Sequence, residues 1–78
     1  MSPGTGSNYR EEYVLIAGIP RSASSHAMDA LEAAGIEFGG RRGRGSWGVR
    51  VKRSEVVRAR EILAADAREH DYEIRFAP

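Results

Sequence analysis

The feature that most constrains the fold is a continuous apolar run near the N-terminus, residues 13–19, followed by Pro20. Because the run has no polar face, it predicts a β-strand that is covered on both sides. Pro20 ends the strand, since proline has no N–H to donate to a central sheet ladder. The fold therefore needs a sheet around this strand and helices packed over it.

Apolar residues recur at helical spacing in two later segments. Residues 22–34 contain serines at their start and are followed by Gly35. They predict a helix with Ser22 or Ser24 as its N-cap and Gly35 as its left-handed stop. Residues 54–69 predict a second helix, which also begins with a capping serine.

Three short segments predict further strands, at residues 36–38, 47–51 and 72–76. The first two are expected to pair as a hairpin across a long glycine-rich connection, and the third alternates as an edge strand does. The order strand, helix, strand, strand, helix, strand is that of a ferredoxin-like βαββαβ sandwich. We predict an α+β domain over residues 11–78, with a four-stranded antiparallel sheet, two helices on one face, and a disordered tail over residues 1–10. Right-handed crossovers put the first and third strands in the centre.

Composition narrows the classes of function. The chain has 78 residues, no cysteine and a net charge of +1. The absence of cysteine excludes a disulfide framework, thiolate chemistry and cysteine-ligated metals. The net charge is too small to attract nucleic acid by long-range electrostatics. No secretory signal and no membrane-spanning run is visible, so we expect a cytoplasmic protein without membrane association.

One stretch carries a distinctive chemistry. Residues 39–48 hold five glycines, three arginines and the only tryptophan, and no acidic residue occurs from position 38 to 54. Guanidinium groups pair with phosphate oxygens, and glycine lets backbone amides approach them. The stretch predicts an anion or nucleic-acid site formed by Arg41, Arg42, Arg44, Arg50, Lys52 and Arg53.

The alternative for this stretch is a solvated hairpin loop with Trp47 in the core. Trp47 alternates in phase with Val49 and Val51, which favours a core position. The RNA-recognition motif has the same fold and stacks bases on aromatic residues of its third strand. Those positions are Ser46 and Gly48 here, so RNA binding would depend on the loop alone.

A second candidate, for a small anion, lies where the first strand meets the first helix. Its residues are Arg21, Ser22, Ser24 and Ser25. A helix N-terminus attracts anions, although helix capping also explains the serines.

His26 and His70 lie in separate elements, and no nucleophile stands beside a base at a recognisable spacing. We therefore predict no catalytic residue, no metal site and no cofactor, and expect only a small polar cluster of Asp66 and Asp71 near His70.

Three segments, residues 14–20, 31–36 and 59–63, together resemble a known family. They are similar to small bacterial signal-transducing domains whose fold is similar to that of the PII nitrogen-regulatory proteins. The resemblance implies a non-enzymatic regulatory or ligand-sensing role and transfers no binding residues. The chain departs from the usual family pattern in its arginine-rich hairpin.

These observations leave three functions to compare. We expect a small non-enzymatic regulatory, ligand-sensing or protein-interaction domain. Apolar residues of the first strand that face away from the helices predict a homo-oligomer or another protein partner on the open sheet face. The alternative is binding of RNA or DNA through the arginine–glycine hairpin, and a small enzyme is the third candidate.

Overall fold

The computed structural model describes residues 12–78, so the predicted tail over residues 1–10 lies outside the described residues. The elements are β1 (Tyr13–Pro20), α1 (Ser24–Ala33), β2 (Phe38–Arg42), β3 (Ser46–Lys52), α2 (Val56–His70) and β4 (Arg75–Phe76). The four strands form one antiparallel sheet in the order β2–β3–β1–β4. This order confirms the α+β ferredoxin-like prediction, with the first and third strands in the centre. Neither described helix combines the length and apolarity needed to cross a membrane.

The start of α1 differs from the prediction. A 3₁₀ turn, Arg21–Ala23, precedes the helix, and no side chain caps its first amides, so the N-cap role predicted for Ser22 or Ser24 is wrong. The Ser24 hydroxyl instead donates to the Arg21 carbonyl at 2.8 Å. The Arg21 N–H donates to the Gly45 carbonyl at 3.2 Å, which joins the turn to the hairpin.

The start of α2 repeats this arrangement. A 3₁₀ turn, Arg53–Glu55, contains the serine predicted as the N-cap, and no side chain caps the helix. The Arg53 N–H donates to the Glu12 carbonyl at 3.1 Å. Before both helices, a backbone carbonyl from a distant segment accepts a hydrogen bond from the first N–H of the 3₁₀ turn. Local sequence does not encode this contact.

The end of α1 confirms the predicted glycine stop. Gly35 has φ +75°, in the left-handed region, and the Ile36 N–H donates to the Leu31 carbonyl at 3.0 Å. Leu31 and Ile36 are both buried, and such an apolar pair frequently accompanies the Schellman motif. Arg58 of α2 donates to the Ala34 carbonyl, which links the two helices at this end.

The hairpin between β2 and β3 is tighter than predicted. β2 begins at Phe38 and continues through Arg42, and the connection contains only residues 43–45. Gly45 provides the left-handed conformation that a three-residue connection needs, with φ +67°. Pairing with β3 extends β2 beyond its apolar residues, because ladder contacts override the weak strand preference of glycine. Arg41 and Arg42 are therefore strand residues, and of the predicted loop arginines only Arg44 lies in the connection.

A β-bulge in β1 changes which residues face outward. The register with β3 shifts between Leu15 and Ala17, so Ile16 is an extra residue. Ile16 and Ala17 are both buried, whereas Leu15 is 49% exposed and Tyr13 is 37% exposed. The open face of the sheet consequently carries less apolar surface than the continuous run predicted.

Trp47 belongs to the core, as the alternative interpretation of the hairpin predicted. It is 8% exposed, and its ring meets Phe38 edge to face with centroids 6.0 Å apart. The indole lies directly over Gly40: a Cβ built there would be 1.6 Å from the indole Nε1. Gly40 is thus required for packing, because any side chain would occupy the volume of the indole.

The last strand is shorter than predicted. Only Arg75–Phe76 forms a ladder, at the edge of the sheet beside β1. Tyr72, Ile74 and Phe76 still pack against the core, which confirms the inward face predicted for the segment. Because side chains alternate along a strand, Arg75 faces away from these residues. It lies on the open face, where it pairs in register with Gly18.

Candidate anion-binding hairpin and sheet face

The hairpin distributes the predicted basic residues over both sides of the sheet. Val49 and Val51 are buried toward the helices, so their neighbour Arg50 lies on the open face. Arg41 pairs in register with Gly48 and lies on the same face as Arg50. Arg42 pairs with Trp47 and lies on the helix side, so the structure separates it from the other two.

Two of the six predicted residues are engaged in ion pairs. The Lys52 Nζ lies 3.0 Å from the Glu37 Oε1, which also accepts a hydrogen bond from the Tyr13 hydroxyl at 3.1 Å. The hydrogen bond from Lys52, with the one from Tyr13, lowers the pKa of Glu37 below its usual value. Arg53 pairs with Glu12 at 2.9 Å. Lys52 and Arg53 are therefore less available to a ligand than the sequence suggested.

The other four predicted residues, Arg41, Arg42, Arg44 and Arg50, form no ion pair with any described carboxylate. Arg75 lies with Arg41 and Arg50 on the open face, although sequence reasoning did not include it in the site. Its outward phase in the last strand was visible in the sequence, but its proximity to the hairpin depends on the strand order. The open face is therefore basic.

A cleft of about 380 Å³ lies at one end of this basic face. Its walls are the hairpin connection, the end of β1 and the segment that leads into β4. The lining residues are 18–20, Arg44, Gly45, Ser46, Glu73 and Arg75. The cleft thus places two arginines from distant parts of the chain beside a backbone floor.

The second predicted site does not converge as one set of residues. Arg21 and Ser24 line a groove of about 240 Å³ together with Arg42 and Trp47. Ser22 and Ser25 are exposed but do not line that groove. The Ser24 hydroxyl already donates its proton to the Arg21 carbonyl at 2.8 Å, so it has no second proton to donate to an anion.

A polar cluster between the helices was only partly predicted. Asp66 is 7% exposed; it accepts a hydrogen bond from the Tyr72 hydroxyl at 2.7 Å and pairs with the His70 Nδ1 at 3.1 Å. His26 stacks on His70 with ring centroids 4.1 Å apart, which no local pattern could show because α1–α2 packing creates the contact. Asp71 instead ends α2 with φ 57°.

Potential metal ligands also occur in this cluster. Asp66, Glu69 and His70 place three ligand atoms within 4.8 Å of one another. The Asp66 carboxylate is already bonded to Tyr72 and His70, and these contacts account for its burial. The cluster therefore has a sufficient structural explanation, which is to attach the C-terminal segment to α2.

The Tyr72 phenol should ionise later than an ordinary tyrosine. Burial, followed by its hydrogen bond to Asp66, raises the pKa of Tyr72. Because the pKa of Tyr72 is higher in the folded than in the unfolded protein, the phenol contributes its full stabilisation below its unfolded pKa of about 10. This stabilisation is lost as pH rises through the folded pKa. In an absorbance titration, we expect the Tyr72 phenolate to appear late, together with unfolding. Tyr72→Phe should remove that late step; an unchanged titration curve in this variant would contradict the expectation.

Chemically, the basic face can bind an anion through paired guanidinium hydrogen bonds. It cannot stack a base on Trp47, because the indole is buried on the other side of the sheet. Comparison with protein-family models, curated proteins and solved structures found no significant match for this chain.

Proposed function

We propose that this chain is a small non-enzymatic regulatory or ligand-sensing domain that recognises an anionic partner through its arginine-rich hairpin. The observation that supports this is the division of the basic residues: Lys52 and Arg53 are paired with carboxylates, and the neighbouring arginines are not. Like charges held near one another repel, and a bound anion relieves that repulsion. The resemblance to small signal-transducing domains supports the regulatory part of the proposal.

A homo-oligomer through the open face stays a prediction, and the charges disfavour it. A symmetric dimer would bring Arg41 and Arg50 of one copy toward the same residues of the other. The exposed apolar residues on this face, Leu15 and Tyr13, offer little surface to offset that repulsion. An anionic partner would meet no such opposition.

Nucleic acid is the second candidate partner. The hairpin places Arg41, Arg44 and Arg50 along one extended element, which suits repeated phosphate contacts. No stacking aromatic occupies the central outward positions of β1 and β3, so we expect such binding to be independent of base sequence. Its affinity should also fall steeply with added salt.

Neutralising the hairpin tests the proposal. In the double variant Arg41→Ala/Arg44→Ala, we expect affinity for short polyphosphate to fall by at least about tenfold, because each charge-assisted hydrogen bond contributes roughly 1.5–3 kcal/mol. Fluorescence anisotropy with a labelled probe at about 0.1 M salt, where long-range charge effects are screened, would measure it.

The matched control is Arg53→Ala/Arg68→Ala, which removes the same charge outside the proposed site. We expect this variant to bind almost as well as the unsubstituted protein. Equal losses in both variants would mean diffuse attraction and would contradict the proposal, as would absence of binding to any polyanion. Binding of single-stranded RNA without binding of polyphosphate would favour the second candidate.

A further inference from the structure

We propose that the cleft between Arg44 and Arg75 binds the phosphate monoester group of a small hydroxylated ligand. This inference rests on the function proposed above and assigns a specific site and ligand class to it. The volume of about 380 Å³ lies within the range of small-molecule sites, roughly 300–1,000 Å³. A phosphate group with a few attached carbon atoms fits that volume.

The charges of the walls select the ligand. Arg44 lies in the hairpin connection and Arg75 lies in β4. Neither forms an ion pair with a described carboxylate, so both guanidinium groups can donate to one phosphate. Glu73 also lines the cleft. Its ionised carboxylate accepts hydrogen bonds and donates none, so it suits the hydroxyl groups of a ligand. A ligand with a phosphate at one end and hydroxyl groups beside it would satisfy all three side chains.

The two walls are held in place by backbone hydrogen bonds. The Arg21 N–H donates to the Gly45 carbonyl at 3.2 Å, which fixes the hairpin connection against the end of β1. The Ala77 N–H donates to the Ile16 carbonyl at 2.8 Å, which anchors the chain just beyond Arg75. The cleft is therefore formed before a ligand arrives, and little ordering is required for binding.

Gly18 keeps the floor of the cleft open. A Cβ at this position would meet no atom within 4 Å, so the space above it is available to a ligand. The same is true of Gly39, which lies on β2 and does not line the cleft. These two glycines form a matched pair, since the same substitution fills the cleft at one position and leaves it empty at the other.

The test uses Gly18→Val and Gly39→Val in the full chain, with amide chemical shifts recorded during titration with glycerol phosphate. We expect saturable shifts at residues 18, 19, 44–46 and 73–75 in the unsubstituted protein. Affinity should fall at least about tenfold in Gly18→Val and stay unchanged in Gly39→Val. Glycerol alone should cause no shifts.

A second pair keeps the test decisive if Gly18→Val does not fold. Arg75→Gln should weaken binding about tenfold, whereas Arg68→Gln, which removes an exposed charge on α2, should not. Equal affinities within either pair, or shifts spread over the whole basic face without saturation, would overturn the assignment. In that case the variant Arg41→Ala/Arg44→Ala would still bind polyphosphate more weakly than the unsubstituted protein, so the proposed function would survive the failure of this inference.

The source of the phosphate is resolved by a further comparison. Short oligonucleotides with and without a terminal phosphate are titrated into both glycine variants. Tighter binding of the phosphorylated oligonucleotide, lost in Gly18→Val, would support the cleft with a nucleic-acid end as the ligand. Saturation by glycerol phosphate with no difference between the oligonucleotides would support it with a free small molecule as the ligand.

Discussion

Replacing Gly40 with alanine should destabilise the fold by about 3 kcal/mol, because the new Cβ and the indole of Trp47 cannot occupy the same volume. Either the indole leaves the core or β2 shifts away from it. Domains of this size are stabilised by roughly 0.05–0.15 kcal/mol per residue, so the loss is a large fraction of the total. Chemical denaturation measures it, and the emission of the single tryptophan reports whether the indole becomes solvated.

The adjacent glycine provides the control for this substitution. Gly39 lies in the same strand, and a Cβ there meets nothing within 4 Å. Gly39→Ala should therefore change the free energy of unfolding by no more than about 0.5 kcal/mol. If Gly40→Ala were as stable as Gly39→Ala and its tryptophan emission were unshifted, the packing of Trp47 described above would be incorrect.

Replacing Asp66 with alanine should cost about 2 kcal/mol of stability. Asp66 is almost fully buried, and its loss leaves the half-buried Tyr72 hydroxyl without its 2.7 Å acceptor. The contact with His70 is lost as well, so the C-terminal segment should loosen from α2. Denaturation gives the energy, and amide exchange in β4 reports the loosening.

Two substitutions calibrate the Asp66 result. Asp66→Asn keeps an oxygen that can accept from Tyr72 and should lose less stability than Asp66→Ala. Glu69→Ala removes an exposed carboxylate from the same helix and should be nearly neutral. An Asp66→Ala variant as stable as Glu69→Ala would show that the cluster does not hold the C-terminal segment.

The predictions that succeeded depended on local patterns. The apolar run of β1, the alternation of Val49 and Val51 and the glycine stop at Gly35 all follow from neighbouring residues. Periodicity encodes which side chains face inward, and a left-handed stop is encoded by the absence of a Cβ. These features, with the order of elements, were enough to predict the fold class.

The predictions that failed depended on distant segments. Ser22, Ser24 and Ser54 were expected to cap helices, but carbonyls of Gly45 and Glu12 supply contacts at both helix starts. β2 extends through Arg41 and Arg42 because β3 is beside it. In each case a partner distant in sequence decided the local conformation.

The candidate site shows the same division. The sequence by itself determined that the second and third strands would form a basic hairpin and that Trp47 would be in the core. Only the tertiary structure decided that Lys52 and Arg53 are paired, that Arg75 lies across the cleft from Arg44, and that His26 stacks on His70. The physical reason is that residue type and spacing set periodicity and charge locally, whereas contacts between distant segments exist only after strands and helices pack.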